Sequence, residues 1–213
     1  IVTDKYTGGV TDAGSDTELG RWSYIKMLGK HGRTIVIVTI YKVCHQSNKQ
    51  AGARTAHMQQ VSLLLRQGRR ITPRKAFVDD FNKQVKDWMH EGYELVIAGD
   101  INEELGSNIS GFARISAKHD LVELIQHCHG VKGEPPTYAR GQRQLDYIFV
   151  TPGLVMSVKK CGILPYSEII DSDHRSLFVD FDTKMLLGGD PAILSPNPVR
   201  ILHSRDAKGS EQY

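Results

Sequence analysis

Cysteine is scarce in this chain, with three in 213 residues (Cys44, Cys128 and Cys161) and no short paired spacing among them. That odd, scattered set excludes a disulfide framework and fits reduced thiols in a cytosolic or nuclear compartment. Long apolar runs are also missing. The longest, Ile35-Val36-Ile37-Val38-Thr39-Ile40, falls far short of the roughly 20 residues that span a bilayer, so no membrane association is expected. No charged-then-apolar leader precedes a small-residue cleavage site, which gives an expected location inside the cell, nuclear or cytoplasmic. Neither sign of charge dominates, and a net +3 is too small to diagnose a nucleic-acid binder. There is no internal repeat. There is also no Gly-Asp-Ser-Gly-Gly segment, which removes a serine-nucleophile reading of the Ile1-Val2 start. Because the chain starts at Ile1 rather than Met, the expectation is a processed product or an excised fragment.

What is present is an ordinary globular composition on a chain long enough for a sizeable core. Residues 21–27 and 34–41 read as two strands joined by Gly29-Lys30-His31-Gly32, with β-branched and aromatic flanks. The second strand is apolar on both faces, as in a sheet covered on both sides. A helix is expected over 53–65. A second starts with Thr72 as its cap and Pro73 at its first position, repeats Phe77, Phe81, Val85, Trp88 and Met89 at helical intervals, and stops at Gly92. A short buried strand over 95–98 follows, then a helix over 117–129 and strands over 144–150 and 176–181. Beyond Lys184 the glycine- and proline-rich sequence reads as a linker or tail over 185–213, leaving 1–184 as one domain. Alternating strands and helices give an α/β or α+β layered fold with a mixed sheet.

Charge is unevenly placed. Arg66, Arg69, Arg70, Arg74 and Lys75 fall within ten residues that contain no acid. Two readings stand, phosphate contacts or a solvated loop and helix start. Cys128 lies between His127 and His129, but residues two apart on a helix point in different directions, so the trio does not chelate zinc. The expectation there is a buried cysteine with exposed histidine neighbours.

Three short acidic motifs carry the chemistry, each beside an apolar run: Gly99-Asp100-Ile101-Asn102, Leu145-Asp146-Tyr147 and Ser172-Asp173-His174. Asp100 and Asn102, two apart at a strand's carboxyl end, can face one cleft. There a carboxylate can orient or deprotonate water, and an amide can donate to developing negative charge. A plain turn is the competing reading, since Asp and Asn favour turns. Asp146 is a charge set in an apolar strand and needs a partner, for which a histidine is the natural choice. A surface position on an edge strand is the alternative. Asp173 offers a carboxylate for Mg²⁺ and His174 the imidazole, although an isolated Asp-His pair is usually just a polar loop.

Together, GDIN, LDYIFV and SDH, with Tyr41 ending an earlier strand, resemble the endonuclease/exonuclease/phosphatase (DNase I-like) superfamily, over roughly residues 8–182. The resemblance implies a four-layered α/β sandwich with the active site at one edge of two packed sheets. It implies Tyr41 at the phosphate, Asp100 on water, Asn102 orienting the phosphoryl group, Asp146 orienting His174, and Asp173 serving a Mg²⁺ (or Mn²⁺) site. Thr137-Tyr138 matches a Thr-aromatic pair that often precedes the LDY strand. The reaction implied is in-line attack of water on a phosphodiester.

The spacing from Pro73-Arg74 through Phe77 to GDIN resembles retrotransposon-type endonucleases, with DNA as partner and a reverse-transcriptase domain following the Pro-containing tail. Tyr41-Lys42-Val43-Cys44 departs from the Val-Pro-Asn-like sequence common there. The family's early Asn and metal-binding Glu have no counterpart either, since Glu18 lies in a polar loop and Glu103 inside the GDIN loop. The fold is therefore expected to lack its first strands, and the chain to be weak in metal binding and activity. A lipid or inositol-phosphate phosphoesterase with the same core, and a non-catalytic domain, are the alternatives.

Overall fold

A computed structural model describes residues 2–44, 52, 54–106, 111–130, 135–169 and 171–189. Its centre is a six-stranded sheet in the order β1-β2-β3-β4-β6-β5. These strands are β1 (Val10–Ser15), β2 (Trp22–Leu28), β3 (Thr34–Tyr41), β4 (Glu94–Asp100), β5 (Val122–Glu123) and β6 (Asp146–Val150). Only β3 and β4 run parallel; every other pair in the sheet is antiparallel. A parallel pair requires a crossover, supplied by α1 (Ala56–Arg66) and α2 (Pro73–His90).

Alternation along β3 decides what each face carries. Val36, Val38 and Ile40 point into a core shared with Phe77, Phe81, Val85 and Trp88 of α2 and with Phe112 and Ile115 of α3 (Gly111–Lys118). On the other face a second core gathers Val96, Ile148 and Val150 with Leu124 and Ile125 of α4 (Leu124–His129) and Leu154 of α5 (Pro152–Val155). Against it pack β7 (Val158–Ile163) and β8 (Leu177–Phe181), an antiparallel pair forming a separate small sheet. The layers thus run from α1–α3 through the six-stranded sheet to the β7–β8 pair. Among the described residues no helix is long and apolar enough to cross a membrane.

Several local expectations are corrected. The segment expected as one helix over 117–129 is two helices with β5 between them. Asp120 takes a left-handed φ of 51°, and the Glu123 carboxylate then accepts from the backbone N–H groups of Ile125 and Gln126, starting α4 afresh. β3 is covered on both faces only at its start, where Ile35 joins the second core and Val36 the first; further along, Ile37 remains 37% exposed. Cys128 is exposed, whereas Cys161 is buried. α1 begins at Ala56, where the Thr55 side chain accepts from Met58 N. Past Lys184 the chain still packs: α6 (Thr183–Leu186) brings Leu186 and Leu187 onto the second core, and Arg33 Nη2 donates to the Met185 carbonyl at 2.9 Å. Residues 190–213 of the expected tail lie outside the described residues, as do Glu134 and most of the loop expected over 44–52.

Gly99 is the tightest point of the sheet. It sits in β4 between Ile40 and Tyr147, at φ 146°, and a Cβ there would overlap the Ile40 carbonyl oxygen. Both the conformation and the space demand glycine. Gly99→Ala is therefore expected to destabilise the fold by about 3 kcal/mol or more, measured by chemical denaturation. A loss below 1 kcal/mol would contradict the close-approach argument.

Candidate active site

The sheet register builds the site. Tyr41 at the end of β3 pairs with Asp100 at the end of β4, and Asp100 in turn faces Asp146 at the start of β6. Side chains directly opposite on neighbouring strands share a face, so a phenol and two carboxylates stand in a row at one sheet edge. His174, just before β8, completes the group: its Nδ1 lies 2.9 Å from Asp146 Oδ2. An isolated bridge joins Tyr138 to His174, and their rings lie 5.0 Å apart between centroids.

Like charges and burial compete here. Asp100 is pushed up to about 6, first by burial, helped by the neighbouring Asp146 charge, and opposed by hydrogen bonds from Asn102 and by His174. Burial alone would lower the His174 pKa, but the hydrogen bond and charge of Asp146, with Asp100 and Asp173, win and raise it. Tyr41 is raised by burial, then by the Cys44 thiol and Asp100. Both main shifts act on stability with one sign. Ionising Asp100 costs the folded state as pH climbs from 3.8 to about 6. The His174 contribution, complete below its ordinary pKa, is lost as pH rises through the raised value.

Asn102 has a more local task than the resemblance implied. Its backbone N–H and its Nδ2 donate to the two Asp100 oxygens at 2.8 and 2.7 Å, and Nδ2 also donates to the Lys42 carbonyl at 2.9 Å. The amide hydrogens are thus engaged with the protein, and Asn102 holds Asp100 still from a left-handed φ of 48°. Asp173 is exposed and lies outside the tight group of donor atoms formed by Asp100, Asp146 and His174. It reaches the site through its backbone, whose carbonyl accepts from Ala139 N at 2.8 Å, and through its charge on His174. Asp100, Asp146 and His174 offer ligand atoms within 4.8 Å of one another, a set that fits one divalent cation. For Mg²⁺, which prefers oxygen, the Asp146 carboxylate would hold it, leaving Asp100 to the water.

Sequence reasoning missed the groups that brace these residues. Lys42 is only 1% exposed and its ammonium pairs with Glu103, which also receives Arg74 Nη2 at 2.8 Å and the backbone N–H of Phe112. Arg74 Nη1 donates in addition to the carbonyls of Val43 and Asn102 at 2.8 and 3.2 Å. One carboxylate therefore ties the ends of β3, α2 and α3 to the GDIN loop. Thr137, fully buried, accepts through Oγ1 from the backbone N–H groups of Leu145 and Asp146 at 2.9 and 3.1 Å. Its signal in the sequence was only its place before the LDY motif. Of the basic stretch of residues 66–75, three side chains are paired with the protein's own acids, while Arg66 and Arg70 are exposed. Arg69 makes two hydrogen bonds to Asp80, Arg74 serves Glu103, and Lys75 pairs with Asp79.

Two outcomes are expected. Asp146→Asn should lower the pKa of both His174 and Asp100, because one loses its partner and the other a like charge; titration by NMR reads both, and an unmoved His174 would contradict the pairing. Glu103→Ala should strand the Lys42 and Arg74 cations and cost about 3 kcal/mol in denaturant unfolding, whereas an effect near zero would show the network to be dispensable.

No protein-family model matches the sequence, and no curated protein matches it by sequence. Solved structures do match in fold. The 3′ phosphatase NExo from Neisseria, bound to a product DNA hairpin, superposes with a TM-score of 0.55 and 14% identity, covering 81% of this chain and 71% of that one. An AP endonuclease from Archaeoglobus fulgidus gives 0.54 and 15%, over 81% and 71%. The AP endonuclease LMAP from Leishmania major gives 0.51 and 14%, over 75% and 54%. With its mixed central sheet and flanking layers, the chain has the DNase I-like fold that these solved structures share.

Proposed function

We propose that this chain is the catalytic part of a Mg²⁺-dependent phosphodiesterase acting on DNA. One observation carries the reading: Asp100 stands at a strand end opposite Asp146, whose carboxylate is hydrogen-bonded to His174. A carboxylate tuned toward neutral pH is suited to take a proton from an attacking water. In the proposed reaction the water oxygen bonds to phosphorus in line with the leaving oxygen, Asp100 receives the water proton, the P–O bond to the leaving group breaks with its electron pair on the departing oxygen, and that oxygen takes a proton from solvent. Protonated His174, held by Asp146, donates toward the phosphoryl oxygens, with Tyr41 beside it. The divalent cation supplies positive charge against the negative charge that grows on those oxygens.

DNA as substrate is supported by the fold neighbours, one of which was solved with a DNA hairpin. A retroelement-type parent, with a reverse-transcriptase domain following, rests on the sequence spacing from Pro73 to Asn102. Among the described residues no glutamate joins Asp100 and Asp146 in the ligand group, and Glu103 is held by Lys42 and Arg74. We therefore read this chain as weak in metal binding and in turnover when taken alone.

Nicking of supercoiled plasmid in Mg²⁺ tests both parts. This chain should nick poorly and an N-terminally extended form strongly; robust nicking by the short form sinks the weak-metal reading. In the extended form, Asp100→Ala and His174→Ala should each reduce the rate by at least about a hundredfold. Survival of cleavage in both variants would overturn the assignment.

A further inference from the structure

We infer that Cys128 and Cys161 form a redox-modification site, a dithiol that a peroxide converts to a disulfide stapling α4 to β7. The inference is independent of what the candidate active site hydrolyses, and its two residues take no part in that site.

The two cysteines are far apart in sequence, and the fold brings them together. α4 and β7 share the second core through Leu124, Ile125 and Cys161. The Cys161 thiol donates to the Leu124 carbonyl at 3.3 Å, about one helical turn before Cys128. From the end of the same helix, His129 Nε2 donates to the Cys161 carbonyl at 2.9 Å. These two bonds bracket Cys128 along the helix, and its thiol is in hydrogen-bond contact with that of Cys161. Both cysteines are free thiols.

The contact suits a bond between the sulfurs better than a metal. Among the described residues, Asp100, Asp146 and His174 alone form a group of three or more ligand atoms, so the flanking histidines do not complete a chelate at Cys128. An S–S bond requires the sulfurs to close to about 2.0 Å. There is give on both sides for that step. Cys128 lies in the last turn of α4, ahead of Gly130 at φ 79°. In the strand pair, the register shifts between Val158 and Lys160, next to Cys161.

The two thiols differ in the way a sequential oxidation needs. Cys128 is exposed, whereas Cys161 is 5% exposed. Burial pushes the Cys161 thiol up to about 12, helped by the hydrogen bond and charge of Cys128 and by Glu123. Cys161 therefore stays protonated and shielded from solvent, and Cys128 starts the reaction. The Cys128 thiolate attacks one peroxide oxygen, the O–O bond breaks, and the departing hydroxide joins the proton released by the thiol as water. That leaves a sulfenic acid on Cys128. The Cys161 sulfur then bonds to the Cys128 sulfur, the S–O bond breaks, and the leaving hydroxide takes the Cys161 proton as a second water. Two thiols lose two electrons and two protons, and one peroxide is reduced to two waters.

The staple would act on the frame of the candidate site. It closes a loop over residues 128–161, which contains Thr137 and Asp146. Cys161 pairs with Val179 of β8, the strand that follows His174. The disulfide thus ties the helix packed on β6 to the strand pair that follows His174.

The test treats the reduced chain with hydrogen peroxide, blocks remaining thiols with iodoacetamide, and reads intact mass, a peptide map and circular dichroism melts. The expected product has lost two hydrogens, carries one link between the peptides holding Cys128 and Cys161, and has Cys44 alkylated. Its melting midpoint should rise by roughly 5–10 °C, reversibly with dithiothreitol. Cys44→Ser should behave as the wild type does. Cys161→Ser should stop at a Cys128 sulfenic acid trapped by dimedone, and Cys128→Ser should leave Cys161 unoxidised while the chain is folded. The site is overturned if no link forms, if the link uses Cys44 or joins two chains, or if it forms as fast in urea. In urea the fold no longer holds the two thiols together. Should a serine variant fail to fold, the wild-type peptide map and the urea comparison decide by themselves.

Discussion

The molecule depends on one register, the one that sets Tyr41, Asp100 and Asp146 side by side across β3, β4 and β6. A slip of one residue in β4 would send Asp100 into the aromatic core around Phe81 and Phe112 and bring Gly99 to the site edge. Gly99 guards against this, because only that position tolerates the close approach of the Ile40 carbonyl. The same strand whose Leu95 and Ile97 anchor the first core thus delivers the Asp100 carboxylate without any intervening hinge.

Around that register the protein accepts an electrostatic cost. Two carboxylates face each other at a partly dry edge, and among the described residues Asp100 is held by the two donors of Asn102 and the nearby imidazole. A site chosen for stability would have replaced one of the acids. The compensation lies one layer back. There Glu103 accepts from Lys42, Arg74 and the α3 backbone, and so fixes the loop that carries Asn102. Buried ion pairs add little net stability but specify geometry when fully satisfied, and geometry is what Asp100 needs here.

Much of this was legible in the residues. The β-branched run of β3 and the Thr72–Pro73 start of α2, with its aromatics at helical spacing, encode themselves locally, so local reasoning found them. β1 (VTDAGS) escaped because backbone pairing with β2, rather than apolar side chains, makes it a strand. β7 was hidden by Lys159 and Lys160, which alternate poorly with its buried Cys161. The split between α3 and α4 turns on a left-handed Asp120 and on Glu123 acting as a cap, a residue type that normally reads as helix interior. At the site, the strand-end motifs pointed to Asp100, Asp146 and His174 lying together. The use of the Asn102 amide as a brace, and the burial of Lys42, were not legible. Both depend on partners about 60 residues away in sequence.

The uneven cover of the central sheet has a dynamic side. β4 and β6 carry packed side chains on both faces, whereas β1 is largely exposed and, among the described residues, pairs with β2 alone. Opening free energies follow buried contact, so amide hydrogens on β1 exchange first and those around Ile97 and Phe149 last. The edge that carries Asp100 and Asp146 therefore belongs to the slowest-opening unit of the domain. Fraying of the β1–β2 hairpin can proceed while Asp100 and Asp146 stay opposite each other.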